Sequence, residues 1–285
     1  MWLRAVPLIL VVLGAAVALV ILYGGARWQA RTERLLAEIW AERVEPAIQT
    51  YDPSEIADLP APVERYFRTV LREGQPLVAA VTVEHTGTFN MGEQGDQWRP
   101  FASTQHVIPR RPGFLWDARI RMAPGLTVFV HDGYVAGRGV LVAKLLGLVT
   151  VMEQPSTSEL AQGELMRFLA EGAWYPTALL PSQGVRWEPI DETRARGRLT
   201  DGETEVDLVF AFDAHGLIST VRSDTRYREV EGVQVSTPWE GRFWEYERRG
   251  GMLVPLEGEV AWLLPEGRRP YWRGRIEAIE YEYVE

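Results

Sequence analysis

The chain has 285 residues, of which 46% are hydrophobic and 24% are charged, a composition typical of one large or two small globular domains. Its formal net charge of −9 argues against nucleic-acid binding, because a phosphate backbone attracts a basic surface. The absence of cysteine excludes disulfides, thiolate metal sites and cysteine nucleophiles.

The first segment predicts a membrane anchor. Residues 5–26 (AVPLILVVLGAAVALVILYGGA) carry no charge and are long enough to cross about 30 Å of hydrocarbon as a helix. Trp2 and Arg4 precede this run, and Arg27 and Trp28 follow it, as interfacial residues do. A cleaved signal peptide is the alternative, but the run is longer than a usual signal sequence. We therefore expect a retained, single-pass anchor.

The charges do not decide on which side of the membrane the chain after the apolar run lies. More arginines follow the apolar run than precede it, which favours a cytoplasmic body. However, Glu33, Glu38 and Glu42 alternate with those arginines, and the N-terminal tail is short. The side is left open, with a preference for the extracytoplasmic one.

Residues 28–45 have the period of an amphipathic helix, which Pro46 ends. Its apolar positions share one face: Trp28, Leu35, Leu36, Ile39, Trp40 and Val44. Residues 46–60 are typical of a linker, and a short helix follows them. We therefore divide the chain into an anchor and stalk, residues 1–50, and a single antiparallel β domain, residues 51–285.

From residue 76 the hydrophobic period is two, which predicts half-buried strands. Residues 81–89 place His85 on an apolar face. In residues 98–108 we assign one face to the interior, comprising Trp98, Ala102, Thr104, His106 and Ile108. Asp132-Gly133 indicates a hairpin turn with His131 exposed beside it. A phase change at Ala278-Ile279 predicts a β-bulge.

About ten strands are counted from these patterns, with no repeating strand–helix–strand rhythm. So many antiparallel strands tend to curl into a barrel, half-barrel or sandwich. The fold class is therefore mainly β: a long curved antiparallel sheet, a half-barrel or open barrel with one inserted helix, preceded by a transmembrane helix and stalk.

A second apolar run, residues 139–152 (GVLVAKLLGLVTVM), is too short to span a bilayer. Its β-branched residues favour a pair of buried strands. The alternatives are a wall of an apolar cavity, or contact with the membrane surface with the Lys144 ammonium reaching the interface.

The inserted helix lies within residues 163–181 (GELMRFLAEGAWYPTALLP), after Ser156 as a possible N-cap. Glu164, Arg167 and Glu171 fall at i, i+3 and i+7, so the arginine can pair with either glutamate. One interpretation is an exposed row of ion pairs. The other is that the helix covers the concave face of the sheet, with Arg167 and Glu171 at the mouth of a cavity. In that case the arginine keeps both carboxylates ionised, which suits binding better than acid catalysis.

No local motif predicts catalysis, a metal or a cofactor. The four histidines form no HxH or HExxH pair, and there is no GxSxG elbow, P-loop or GxGxxG signature. We interpret His85 and His106 as core histidines that each make one hydrogen bond. We predict no catalytic residue, no metal site and no cofactor.

Five stretches together resemble a bacterial family of unknown function: LPAPVERYFRTVL, WRPFASTQHV, GFLWDARI, GELMRFLAEGAWYPTALLP and YWRGRIEAIEY. The resemblance covers residues 59–284, and we identify the family as the membrane-anchored one numbered 6544. It implies no activity, because that family has none assigned. The architecture is also similar to periplasmic lipoprotein-carrier half-barrels, which is a likeness of fold.

The preferred function is a membrane-anchored protein that binds an apolar or amphipathic, lipid-like ligand in the curved sheet. The alternatives are an enzyme whose site is assembled across strands, and a structural or partner-binding module of an envelope complex. Such a module would use the sheet edge or the charged row in residues 222–228 (RSDTRYR). The predicted ligand-binding residues are His85, Trp98, His106, Trp116, Arg167, Glu171, Trp174 and Tyr175. The predicted partners are the membrane and the ligand, without nucleic acid.

Overall fold

A computed structural model describes residues 2–44, 47–92 and 95–284; the side chains of residues 2–9, 11, 13 and 17 lie outside what it describes. It has three α-helices: α1 (Trp2–Ala41), α2 (Ala61–Val70) and α3 (Ser158–Glu171). The strands are β1 (Val78–Asn90), β2 (Trp98–Ile108), β3 (Gly113–Ala123), β4 (Leu126–Val135), β5 (Arg138–Leu145), β6 (Val149–Glu153), β7 (Arg186–Pro189), β8 (Arg194–Asp201), β9 (Thr204–Phe212), β10 (Ile218–Val230), β11 (Val233–Arg249), β12 (Met252–Leu264) and β13 (Gly267–Tyr283).

In the described part of the chain these strands form one antiparallel sheet of thirteen, curved into a half-barrel. Strands β1 to β6 are one meander and β7 to β13 are another, each with neighbours in chain order. The two meanders join where β1 pairs with β13, at the centre of the sheet. The prediction of a mainly β, curved antiparallel fold is confirmed, with more strands than the ten expected.

The main hydrophobic core fills the concave side of the sheet. It joins residues of β1, β9 and β12 to the apolar faces of α2 and α3. Tyr66 and Phe67 of α2 are fully buried there. Helix α3 contacts β4 and β5 of the first meander and β9 and β10 of the second. The inserted helix therefore lies across the open side of the half-barrel.

Strand β4 runs straight through the predicted Asp132-Gly133 turn. At Gly133 a Cβ would lie 2.3 Å from the carbonyl oxygen of Phe114 on β3, so the glycine permits close approach of two strands rather than a reversal of the chain. His131 is consequently buried, and the prediction that it is exposed is wrong.

The inner face of β2 is the opposite of the one assigned from the sequence. Phe101, Ser103, Gln105 and Val107 are the buried set, whereas Ala102 is exposed. The β2 register is unbroken from Trp98 to Val107, so Trp98 and His106 lie on the convex face. The error arose because two of the inward residues, Ser103 and Gln105, are polar.

The predicted bulge near the C-terminus is confirmed. Glu84 of β1 pairs with Ala278, whereas the next residue, His85, pairs with Ile276. Glu277 is therefore the extra residue of β13, and the side-chain phase changes there as a bulge requires.

The apolar run at residues 139–152 forms a pair of strands, as predicted, but only β5 is partly buried. Strand β6 is the edge of the sheet, and all five of its residues are exposed. The expectation of two buried strands is therefore wrong for β6.

The second half of α1 packs on the convex face of β2, β3 and β4. Its Leu35 and Ile39 join a small apolar cluster with Ile108, Leu115 and Val135. Val44, which was expected on the same apolar face, is exposed. Residues 28–41 are thus held against the sheet, while the division of domains at residue 50 stays a prediction.

A buried polar group, here called the outer cluster, fastens α1 to the sheet; it comprises Trp28, Thr32, Asp117 and His131. The Trp28 indole Nε1 donates to Asp117 Oδ1 at 2.8 Å. Thr32 Oγ1 lies 2.8 Å from His131 Nε2 and donates to Asp117 Oδ2 at 3.2 Å. The Trp28 and His131 rings stack with centroids 3.9 Å apart.

Among the described residues, the structure contains no helix that meets the length and apolarity needed to span a membrane. The predicted anchor, residues 5–26, includes side chains outside the described set, namely those of residues 5–9, 11, 13 and 17. The anchor therefore stays a prediction.

Candidate functional site

Helix α3 begins at Ser158, capped by the preceding Thr157, whose Oγ1 accepts from the Leu160 amide at 3.2 Å. The predicted N-cap was Ser156, one residue earlier. The helix is buried on two sides, because both the apolar face and the Glu164–Arg167–Glu171 face point into the half-barrel. The interpretation of that row as exposed ion pairs is therefore wrong.

Arg167 of α3 is the centre of a buried group of charges. Its Nε donates to Glu171 Oε1 at 2.6 Å, one turn along the helix. Its Nη1 donates to Asp132 Oδ2 of β4 at 2.8 Å, and its Nη2 donates to Gln105 Oε1 of β2 at 2.9 Å. The guanidinium also lies 5.5 Å from the ring centroid of Trp116. The arginine therefore ties α3 to the first meander.

Gln105 completes the ring, since its Nε2 donates to Glu171 Oε2 at 2.6 Å. On the other side of α3, Arg226 of β10 lies with Nη2 3.5 Å from Glu164 Oε1. We call this set the inner cluster: Gln105, Asp132, Glu164, Arg167, Glu171 and Arg226. It contains residues of both meanders and of the helix between them.

Glu164 is the most deeply buried carboxyl of the inner cluster. Burial raises its pKa well above the usual value, and the nearby Asp132 carboxylate adds to this, whereas Arg226 and Arg167 oppose it. The surroundings of Glu164 therefore favour its neutral form. The inner cluster joins two arginines, Arg167 and Arg226, to three carboxyl groups, Asp132, Glu164 and Glu171.

Next to the inner cluster lies a cavity of about 70 Å³, between α3 and the concave face. Six charged residues line it: Asp132, Arg167, Glu171 and Arg226 of the inner cluster, and Arg242 and Glu259. The rest of the wall is mostly aromatic and includes Phe89, Trp116, Trp174, Trp239, Tyr271 and Trp272. An aromatic wall that also carries charged groups suits an amphipathic ligand.

Several polar atoms around this cavity have no hydrogen-bond partner within the described protein. They are the indole Nε1 of Trp116, the indole Nε1 of Trp174, Asp132 Oδ1, Glu164 Oε2 and Arg226 Nη1. Three of these atoms are donors: the two indole nitrogens and Arg226 Nη1. An unmatched buried donor costs roughly 1–3 kcal/mol, so these three donors favour a site occupied by solvent or by a ligand that carries acceptors.

His85 lies behind the cavity wall. Its ring centroid is 4.9 Å from that of Trp174 and 5.9 Å from that of Trp272. Neither ring nitrogen has a partner among the described residues, so the expectation of one hydrogen bond is not met there. Burial, with Arg167 nearby, lowers the pKa of His85 to about 3, so the imidazole is neutral at pH 7.

Four of the eight predicted ligand-binding residues meet at the cavity: Trp116, Arg167, Glu171 and Trp174. Tyr175 is in the core instead, and its hydroxyl donates to the Phe168 carbonyl at 3.1 Å.

Two other predicted residues lie on the convex face. Trp98 packs under Arg273, and His106 Nδ1 lies 3.2 Å from Thr82 Oγ1. In the described part of the chain no group of histidines and carboxylates is arranged to hold a metal ion.

Three residues of the inner cluster were not predicted as site residues: Gln105, Asp132 and Arg226. The alternation in β2 predicted an outward-facing Gln105, and Asp132-Gly133 predicted a turn. Arg226 belongs to the charged row of residues 222–228, but β10 has a bulge between Ser223 and Arg226 that places the arginine on the buried face. Polar residues in phase with buried neighbours, as Ser103 and Gln105 are with Phe101, were the available signal.

Three solved structures are similar to this chain. A DUF1329 family protein from Desulfovibrio piger is 14% identical, with a TM-score of 0.39 over 81% of this chain and 94% of that one. A candidate outer membrane lipoprotein-sorting protein domain from Vibrio parahaemolyticus is 11% identical, with a TM-score of 0.36 over 72% and 86%. A LolA superfamily protein from Nitrosomonas europaea is 11% identical, with a TM-score of 0.31 over 79% and 93%. At these values the likeness concerns the fold alone.

A comparison with curated proteins finds no match. The family profile that matches covers residues 57–281, most of the β domain, and is numbered 6920; the identification with number 6544 is not confirmed. The chain belongs to this family of unknown function, DUF6920.

Proposed function

We propose that this protein binds an apolar or amphipathic, lipid-like ligand in its curved sheet while a single N-terminal helix holds it at a membrane. The observation that carries the proposal is the cavity between α3 and the concave face, whose wall combines aromatic side chains with residues of the inner cluster. The unmatched donors of Trp116, Trp174 and Arg226 favour a ligand that also carries a hydrogen-bond acceptor.

The size of the cavity limits the part of a ligand that it holds. A volume of about 70 Å³ accommodates about five water-sized groups, such as a polar head group or a short piece of an acyl chain. The cavity is partly open, so the remainder of a longer ligand extends beyond it.

The anchor is proposed from the uncharged run at residues 5–26. Leu19, Leu22 and Tyr23, which follow one another closely along α1, are exposed and have no apolar surface over them in the described protein. We place the β domain on the extracytoplasmic side. A reporter fused to the C-terminus that is active only outside the cytoplasm tests this choice, and activity of a cytoplasmic reporter contradicts it.

Ligand binding is tested on the full chain in a mild detergent, by native mass spectrometry and by quenching of tryptophan fluorescence with added oleic acid. We expect a bound lipid and saturable quenching. Trp116→Phe weakens binding, because it removes an unmatched donor and part of the wall, and Trp174→Asp abolishes it.

Trp98→Phe is the matched control, because Trp98 lies on the convex face, and it leaves binding unchanged. Circular dichroism shows whether Trp174→Asp still folds, and Trp116→Phe carries the test if it does not. Saturable binding that is equal in all variants, or no binding by the unmodified chain, contradicts the proposed site.

A further inference from the structure

A second cavity lies on the other side of the sheet, where α1 meets the turn between β5 and β6. Its volume is about 110 Å³. Four basic side chains line it: Arg27, Arg31 and Arg34 of α1, and Lys144 of β5. The three arginines fall at i, i+4 and i+7, so they share one face of the helix. We call this place the basic cleft.

Two glycines bring these elements together. A Cβ on Gly24 would lie 2.1 Å from the Leu146 carbonyl oxygen. Gly147 has a φ of +71°, and a Cβ on it would lie 2.6 Å from the Gly24 carbonyl oxygen. The helix and the turn therefore touch backbone to backbone, and Lys144 is placed opposite the arginines. The contact is a built feature of the fold rather than a chance approach of long side chains.

The cations of the basic cleft are poorly compensated. Arg27, Arg34 and Lys144 form no ion pair with a carboxylate of the described residues. Arg31 has one, to the half-exposed Glu153 at 3.6 Å. No carboxylate lines the cleft. In a chain of net charge −9, this concentration of positive charge attracts an anion.

The surroundings indicate where that anion comes from. The cleft begins at the residue that follows the uncharged run 5–26. Exposed apolar side chains flank it on both elements, with Leu22 and Tyr23 on α1, and Val149 and Val151 on β6. Basic groups just beyond an apolar segment, with aliphatic and tyrosine side chains beside them, are the arrangement that meets lipid head groups.

We propose that the basic cleft binds the phosphate group of an anionic phospholipid and so fixes the sheet against the membrane surface. The inference rests on the proposed anchor, which brings the cleft to the bilayer, and not on the ligand of the inner cavity. The shared chemistry is a phosphate group, so free phosphate is the competing source.

The test uses the full chain in a non-ionic detergent, titrated separately with short-chain phosphatidylglycerol, phosphatidylcholine of the same chain length, and inorganic phosphate. Calorimetry measures each affinity, and native mass spectrometry counts bound lipid. We expect the anionic lipid to bind more tightly than the zwitterionic one. Arg34→Gln combined with Lys144→Gln weakens binding of the anionic lipid by roughly thirtyfold, because each of the two basic groups contributes about fivefold near a lipid surface.

The matched control is Arg72→Gln combined with Arg222→Gln, which removes the same charge from exposed positions elsewhere and leaves the affinity unchanged. Equal affinities for the two lipids, an equal loss in the control, or inorganic phosphate binding as tightly as the anionic lipid would each overturn the proposal. Oleic acid binding at the inner cavity is unaltered in the cleft variant. Extraction of the chain from membranes by alkaline carbonate would instead overturn the anchor, so the two failures are distinguishable.

Discussion

Two neighbouring strands carry both buried polar clusters, on opposite faces. Asp117 and His131 are cross-strand partners and belong to the outer cluster. Trp116 and Asp132, the next cross-strand pair, belong to the site on the inner face. A shift of one residue along either strand exchanges the two faces. The same short segments therefore provide an attachment for α1 on one side and a candidate binding site on the other.

The clusters differ in how completely their polar atoms are matched. In the outer cluster the Trp28, Thr32 and Asp117 side chains are all hydrogen-bonded, and His131 Nδ1 is the atom left over among them. Around the inner cluster, five side-chain atoms have no partner among the described residues. Completed hydrogen bonding is typical of a structural contact, whereas unmatched donors beside a cavity are typical of a site that receives a ligand.

The largest expected effect is loss of the inner arginine. Arg167→Met leaves Asp132 and Glu171 buried without their cation, so we expect the free energy of unfolding to fall by roughly 3–5 kcal/mol. Denaturant unfolding near neutral pH measures it. Arg68→Met is the matched control, because Arg68 also pairs with a glutamate one helical turn away, at 2.8 Å, but on an exposed surface. There the expected loss is about 0.3–0.5 kcal/mol. Equal losses contradict the central role of Arg167.

The next largest effect concerns His131 of the outer cluster and its response to acid. Burial lowers the pKa of His131 to about 4, against the opposing effect of Asp117, whereas the unfolded chain has a value near 6.5. The unfolded state therefore binds the proton more readily. The free energy of unfolding falls as the pH decreases from about 6.5 to 4, by up to roughly 3 kcal/mol from this group.

His131→Gln removes that contribution. We expect a smaller difference between unfolding at neutral pH and at about pH 4 than in the unmodified chain. The comparison uses the change with pH, so any constant cost of the substitution cancels. An identical pH dependence in both proteins would show that His131 is not held neutral by the fold.

A pair of identical substitutions compares the two indoles directly. Trp28→Phe removes the donor to Asp117 and costs roughly 1.5–3 kcal/mol, since the lost bond is to a carboxylate. Trp116→Phe removes a donor that has no partner in the described protein, so we expect a smaller loss of stability and weaker oleic acid binding. Chemical denaturation measures the stability of both variants, and fluorescence titration measures their affinity for oleic acid. A larger loss of stability in Trp116→Phe than in Trp28→Phe contradicts the contrast between the clusters.

The smallest effect concerns the start of α3. Thr157→Ala removes the acceptor for the Leu160 amide and is expected to cost about 1 kcal/mol. Hydrogen exchange at Leu160 should accelerate, while exchange near Trp28 is unchanged. Thr157→Ser keeps the hydroxyl and serves as the control. If Thr157→Ser loses as much stability as Thr157→Ala, loss of the capping hydrogen bond is not the cause of the effect.

Much of the fold was predictable because burial imposes a period of two on strands. That period predicted the curved antiparallel sheet, and the phase change near Ala278 located the bulge at Glu277. The helical spacing of Glu164, Arg167 and Glu171 identified the inserted helix and part of the site.

The remaining errors have one physical cause. A residue's face was inferred from its polarity, and the inner cluster consists of polar residues that face inward. Gln105 reversed the inferred phase of β2, and the bulge before Arg226 moved that arginine from an apparently exposed row to the interior. Such exceptions are most frequent where a fold binds something, so the site was the part of the sheet that hydrophobic patterning described least well.

The pairing of β1 with β13 also has a consequence for folding. The cavity wall takes Trp116 and Asp132 from the first meander but Trp239 and Trp272 from the second. In the sheet these halves are joined by the pairing of β1 with β13, strands that are far apart in the chain, and such distant pairings form slowly. The cavity is therefore complete only after both meanders have folded and these two strands have paired.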